Sequence, residues 1–71
     1  MQPPELNYNQ IIQLADPKEF DLAWYRLIAQ DLTHEQAYEH LEEQYRSVFK
    51  RRRYASYDSY RISRLRRQHR L

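Results

Sequence analysis

Glycine and cysteine are both absent from this chain of 71 residues, and proline occurs only three times. Without glycine, tight β-hairpins and glycine-rich phosphate-binding loops are disfavoured together. Without cysteine, neither disulfides nor thiolate metal sites can support a small core. A chain this short leaves much of its surface in water, so its stability depends on a small apolar core, and a partner or self-association is an open possibility.

Long hydrophobic runs are also missing, because no apolar stretch approaches the roughly 18 residues that suggest a membrane-spanning helix. Residues 1–5 are polar and lack the basic and apolar parts of a secretory signal. We therefore expect a cytoplasmic protein that has no membrane partner. The chain is not simply disordered either, since it contains seven tyrosines, two phenylalanines and one tryptophan.

Helix-start signals divide the chain. Asn7 is a candidate N-cap, and Asp16 precedes a proline at the first helical position. Thr33 and Gln36 form a capping-box pattern. The sequence predicts an extended lead-in over 1–6, helices over about 8–15, 17–31 and 34–52, and a basic C-terminal helix over 53–71. Within this last segment the helix signal is weak over 53–56, and Ser56 or Asp58 is the candidate N-cap.

Apolar residues recur at helical spacing in the second and third predicted helices. The second helix contributes Phe20, Ala23, Trp24, Leu27 and Ile28, and the third contributes Ala37, Leu41, Tyr45, Val48 and Phe49. The first adds Ile11, Ile12 and Leu14. Because only two residues separate the second helix from the third, we expect an antiparallel helical hairpin. The predicted fold class is a small all-α domain of three or four helices built on this hairpin.

Charge is strongly segregated along the chain. Residues 46–71 hold ten Lys and Arg against one acid, a net charge of +9, whereas residues 1–45 hold two against nine, a net charge of −7. The overall charge of +2 therefore conceals a polarised molecule. A segregated basic segment indicates an anionic partner.

The basic segment combines arginine with tyrosine, a combination common where nucleic acid is bound. Guanidinium groups bind phosphate oxygens in bidentate fashion, and tyrosine rings stack on exposed bases or pack against ribose. The predicted nucleic-acid-binding residues are Arg51, Arg52, Arg53, Tyr54, Tyr57, Tyr60, Arg61, Arg64, Arg66, Arg67 and Arg70. The structural alternative is that these arginines pair with the acidic helices of the same chain, or are solvated, and that the tyrosines fill the core.

Within the last helix, Ile62, Leu65 and His69 cluster on one side and most arginines lie on the opposite arc. With only Ile62 and Leu65 as strong apolar anchors, we expect this helix to be frayed until an anionic partner neutralises it. Ser56, Ser59 and Ser63 lie among the arginines, where a phosphate group would neutralise part of the basic surface.

Catalytic and cofactor signatures are not found. No nucleophile is paired with a base and no phosphate loop is present, so we expect a protein that is not an enzyme and has no cofactor. His34 lacks a second histidine four residues on, and His40 points to another side of the helix, so no metal site is predicted. The acids of the third helix disfavour its use as a DNA-reading helix.

Two functions remain open. The first is a small accessory protein that binds DNA or RNA through phosphates, with weak base specificity because the predicted site contains no Asn or Gln. The second is an adaptor or inhibitor that docks on a larger protein with an acidic surface, of the antitoxin or anti-defence kind, or self-associates head to tail. Such a charge split without glycine is common among small helical accessory proteins of phages and mobile elements.

Overall fold

Capping side chains begin the first three helices at the positions that the sequence predicts. The computed structural model describes residues 5–69, and within this range it is all-α, with no strand. The helices are α1 (Tyr8–Gln13), α2 (Pro17–Ile28), α3 (His34–Phe49) and α4 (Tyr57–His69). The predicted lead-in lies mostly outside the described residues, and so do Arg70 and Leu71.

The first three helices share one mode of initiation. Asn7 accepts a hydrogen bond from the Gln10 backbone N–H at 2.8 Å, and Thr33 accepts one from that of Gln36 at 3.1 Å, each as part of a complete capping box. Asp16 accepts one from the Lys18 backbone N–H at 2.9 Å. These bonds satisfy backbone donors that have no partner within the helix. The predicted N-caps Asn7, Asp16 and Thr33 are confirmed.

The helices end earlier than predicted. Helix α1 ends at Gln13 instead of residue 15, and α2 ends at Ile28 instead of residue 31. Helix α3 ends at Phe49 instead of residue 52, because Lys50 takes up a left-handed conformation with φ of 61°. Asp31, after α2, has φ of 71°. A left-handed residue ends a right-handed helix, and no glycine is available for either position.

The core lies where α1, α2 and α3 meet. Its buried members from these three helices and their ends are Ile11, Leu14, Phe20, Trp24, Leu27, Ala37, Tyr38, Leu41 and Tyr45. Ala23, Ile28, Val48 and Phe49 are half-buried, and Ile12 is exposed. The indole Nε1 of Trp24 donates a hydrogen bond to the backbone oxygen of His34 at 3.0 Å and so ties α2 to the start of α3. The antiparallel direction of this pair stays a prediction.

Helix α4 packs on this core through the face that carries Tyr60. The ring of Tyr60 is fully buried and lies against Phe20, Trp24 and Tyr38 at centroid distances of 5.0, 5.8 and 5.4 Å. Ile62 and Leu65 are instead 43% and 37% exposed, so the expectation that they anchor the helix is wrong. A single aromatic side chain replaces two aliphatic ones because it reaches the centre of the core. The structure thus shows α4 as a helix anchored on the protein itself.

Candidate nucleic-acid interface

The loop between α3 and α4, residues 50–56, is built around the carboxylate of Glu42. Glu42 accepts hydrogen bonds from the backbone N–H groups of Arg53 and Tyr54 at 2.7 and 2.9 Å and from the Tyr38 hydroxyl. Its side chain is only 2% exposed. A buried carboxylate is stable only when its lone pairs are satisfied, and three donors do so here. This arrangement holds residues 53–56, where the predicted helix signal is weak, in a loop before α4 begins at Tyr57.

Arg52 is directed at its own chain. Its Nη2 atom donates to the Tyr38 hydroxyl at 3.2 Å and to Glu39 Oε1 at 3.1 Å, and its Nε atom lies 3.8 Å from Glu42. The hydrogen bond to Tyr38, and then that to Glu39, raises the pKa of the Arg52 guanidinium. Arg52 therefore holds the loop against α3.

Arg67 is held in the same way by α2. Its Nε and Nη2 atoms donate to the two carboxylate oxygens of Asp21 at 2.8 and 2.6 Å. The buried Tyr60 hydroxyl donates to the same carboxylate at 2.9 Å. The bidentate hydrogen bond raises the pKa of Arg67, whereas burial first, and then the charge of Asp21, raises the pKa of Tyr60. Asp21 thus fastens α4 at two points.

Two further arginines lie over aromatic rings. The guanidinium of Arg53 is 4.8 Å from the centre of the Tyr54 ring, and that of Arg64 is 4.5 Å from the centre of the Trp24 ring. Arg64 also donates to the Tyr25 hydroxyl at 3.4 Å, and Arg53 donates to the Ala15 backbone oxygen at 3.4 Å. Cation–π contacts of this kind orient a guanidinium without neutralising its charge.

Other cations of the basic segment are exposed and weakly held. Arg61 lies 3.7 Å from Asp58, with side chains 45% and 79% exposed, and Lys50 donates to the Ser47 backbone oxygen at 3.0 Å. The side chains of Arg51 and Arg66 make no hydrogen bond or ion pair within residues 5–69. The predicted arginines among the described residues therefore divide into structural arginines (Arg52, Arg53, Arg64, Arg67) and exposed ones (Arg51, Arg61, Arg66). Together with Lys50, which belongs to the same segment but was not in the predicted set, the exposed arginines are called the available cations. The remaining predicted residue, Arg70, lies outside the described residues.

The predicted tyrosines lie mainly against the core. Tyr60 has no exposed face, so in this structure its ring is not accessible to a base. Tyr54 and Tyr57 are half-buried and pack on Phe20 and Tyr38 at centroid distances of 5.3 and 5.8 Å. The packing thus supports the alternative in which these tyrosines contribute to the core.

Three residues of this region were missed by sequence reasoning. Tyr38 precedes Leu41 and Tyr45 by three and seven residues, a helical spacing that was sufficient to assign it to the core. Glu42 gave no comparable signal, because its partners are 11 and 12 residues away in a loop. Tyr25 lies in the acidic part of the sequence but contacts α4 through its hydroxyl.

We also searched the described part of the chain for metal sites and membrane-spanning helices. No group of three or more His, Asp or Glu side chains within residues 5–69 is placed to hold a metal ion. His34 packs its ring on Trp24 at 5.0 Å. Across the same residues, no helix combines the length and apolar character required to cross a bilayer.

Comparisons with protein-family models, with curated proteins and with solved structures give no match.

Proposed function

We propose that this protein is a non-enzymatic accessory protein that binds nucleic acid, chiefly through phosphate contacts made by the available cations. The observation that supports the proposal is the division of the basic segment. Asp21, Glu39 and Glu42 engage Arg67 and Arg52, which leaves Lys50, Arg51, Arg61 and Arg66 exposed with weak partners or none. Arg70 belongs to the proposal as a further cation of the same segment.

The chemistry of the available cations favours a polyphosphate over a single anionic group. Exposed guanidinium groups on α4 and on the loop before it suit an extended partner that carries charge at regular intervals, as a nucleic-acid backbone does. Base-specific reading by Asn or Gln has no support in this set of side chains. We therefore expect binding that depends weakly on sequence.

Salt dependence tests the proposal directly. If the four available cations each meet a phosphate, log affinity should fall against log salt with a slope of roughly −3.6 for duplex DNA. The double variant Arg51→Gln/Arg66→Gln should have a slope that is shallower by about 1.8, because two released counterions are lost. Lys18→Gln is the matched control, since Lys18 is exposed but lies outside the basic segment. Its slope should equal that of the original protein.

Two results contradict the proposal. One is binding that does not change between about 50 and 200 mM salt, and the other is no binding to DNA or RNA at the lower concentration. An affinity purification in the presence of nuclease then examines the alternative partner, an acidic protein surface. Recovery of one defined protein that is lost in the Arg51→Gln/Arg66→Gln variant favours the adaptor or inhibitor.

A further inference from the structure

Tyr25 belongs to the acidic part of the sequence but lies beside the basic helix. Its hydroxyl accepts hydrogen bonds from Gln68 Nε2 at 2.7 Å and from Arg64 Nη1 at 3.4 Å. Both donors are on α4, four residues apart and therefore on one side of that helix. The fold thus places a tyrosine of α2 at the seam between α2 and α4.

The ring of Tyr25 is held in place but remains accessible. It is 43% exposed, and it lies edge-on to the buried Trp24 ring with 5.1 Å between the ring centres. Hydrogen bonds at the hydroxyl and an aromatic contact at the ring restrict both torsions of the side chain. A ring that is already ordered loses little conformational entropy when a ligand stacks on it.

No tyrosine of the basic segment offers the same combination. Tyr60 is buried, and Tyr54 and Tyr57 pack on core rings. Tyr8 is 65% exposed, but it lies on α1 and its hydroxyl makes no hydrogen bond within residues 5–69. Tyr25 is thus the exposed tyrosine that the structure brings to the basic helix.

Positive charge lies next to this ring. Arg61, Arg64, Leu65 and Gln68 fall at positions i, i+3, i+4 and i+7 of α4, which form one stripe of the helix. Gln68 and Arg64 hold Tyr25, and Arg61 lies one turn before Arg64 with its side chain 45% exposed. The stripe that holds Tyr25 therefore also carries an available guanidinium, one helical turn from Arg64.

We propose that Tyr25 is a stacking platform for an unpaired base and that the preferred ligand is single-stranded nucleic acid, with Arg61 contacting a neighbouring phosphate. This inference rests on the proposed nucleic-acid binding. The faces of bases are covered in a duplex and exposed in a single strand, so a stacking platform favours the single strand. Phosphate contacts alone do not produce this preference.

Fluorescence anisotropy with a labelled DNA strand of about 12 nucleotides, and with the duplex formed from it, tests the proposal at one fixed salt concentration. We expect the single strand to bind roughly tenfold more tightly than the duplex, as loss of one stacked base changes affinity by about that factor. Tyr25→Ala should remove this preference and leave duplex binding unchanged. Tyr8→Ala, the control at another exposed tyrosine, should bind both ligands as the original protein does.

Two further variants distinguish aromatic stacking from the effect of side-chain size. Tyr25→Phe keeps the aromatic face and should retain most of the single-strand preference, whereas Tyr25→Leu keeps an apolar side chain and should lose it. These variants also decide the question if the alanine variant fails to fold, as judged by its circular dichroism.

Equal affinity for both ligands, or a single-strand preference that survives in Tyr25→Leu, overturns the role of Tyr25. In that case the salt slope and its response to Arg51→Gln/Arg66→Gln still support the proposed function. Absence of binding to either ligand overturns both proposals together.

Discussion

At the scale of single residues, Glu42 organises the loop between α3 and α4. It replaces the backbone hydrogen bonds that Arg53 and Tyr54 would make in a longer helix. The chain can therefore leave α3 and return across the core to place Tyr60. Glu42 is one of the acids that disfavour α3 as a DNA-reading helix, and the structure shows that the loop is built around it.

Glu42→Ala should destabilise the protein by about 3 kcal/mol, because it leaves two partly buried backbone donors and the Tyr38 hydroxyl without their acceptor. Urea denaturation followed by circular dichroism measures the effect. Glu43→Ala is the matched control at the exposed neighbouring position and should change the free energy of unfolding by no more than about 0.5 kcal/mol. Equal effects of the two variants would contradict the structural role of Glu42.

The two buried tyrosines, Tyr38 and Tyr60, should make the folded protein less stable at alkaline pH. Burial first, and then Asp21, raises the pKa of Tyr60; burial first, and then the hydrogen bond to Glu42, raises that of Tyr38. Below pH 10.0, the ordinary tyrosine pKa, both residues are protonated in the folded and unfolded states. Above it the unfolded chain loses protons that the folded protein keeps, so the free energy of unfolding falls as pH rises.

Each such tyrosine contributes a decline that approaches about 1.4 kcal/mol per pH unit above pH 10. Denaturation at several values between about pH 9 and pH 11 measures it. Tyr60→Phe should make the decline shallower, since one ionisable group is removed. A free energy of unfolding that stays constant over this range would refute the prediction.

At the scale of the helices, some features could be predicted from the sequence and others could not. Helix starts were predictable because a cap and the backbone group that it satisfies lie within three residues. The all-α class followed from apolar spacing in the same way. The orientation of α4 was not predictable, because its apolar residues Ile62 and Leu65 indicated one face while Tyr60 and its contacts in α2 and α3 determined another.

The same limit applies to the candidate site. Sequence located the basic segment, but it did not reveal which arginines are engaged within the chain. That division depends on partners such as Asp21, which is 46 residues from Arg67. Tyr25 was assigned no role for the same reason, since its contacts to α4 are 39 and 43 residues away.

The attachment of α4 gives a prediction at this scale. Asp21→Ala removes the acceptor of both Tyr60 and Arg67, so amide hydrogen exchange should become at least about tenfold faster over α4 while α3 stays protected. Hydrogen exchange measured by mass spectrometry resolves the two helices. Asp58→Ala removes only the exposed pair with Arg61 and should have little effect. Equal exchange rates in the original protein and the Asp21→Ala variant would show that the contact does not hold the helix.

At the scale of the whole molecule, the polarised charge raises the question of self-association. Several acids that a second copy would need are already used within the chain, because Asp21 binds Arg67 and Glu39 binds Arg52. Exposed ion pairs contribute at most about 1 kcal/mol each, which is too little to hold a dimer without an apolar interface.

We therefore expect a monomer of 8.9 kDa in sedimentation experiments at both low and high salt. The Arg51→Gln/Arg66→Gln variant, which loses two available cations, should sediment identically. An oligomer that dissociates as salt is added would contradict this prediction and favour head-to-tail assembly.

Lys50 connects stability to binding. Its backbone has φ of 61°, a conformation in which glycine carries no steric penalty, and yet the position holds an exposed cation. Lys50→Gly should raise the free energy of unfolding by about 0.5–1 kcal/mol and make the salt slope of DNA binding shallower by about 0.9. Asp31→Gly is the control at the other left-handed position, with φ of 71°, and should stabilise the protein without weakening binding.

If Lys50→Gly raises stability and lowers DNA affinity, while Asp31→Gly raises stability alone, then Lys50 favours binding at the expense of folding stability. Selection for thermal stability alone, without a binding assay, would then favour the replacement of Lys50. Screening for robust variants of this protein therefore requires both measurements on every candidate.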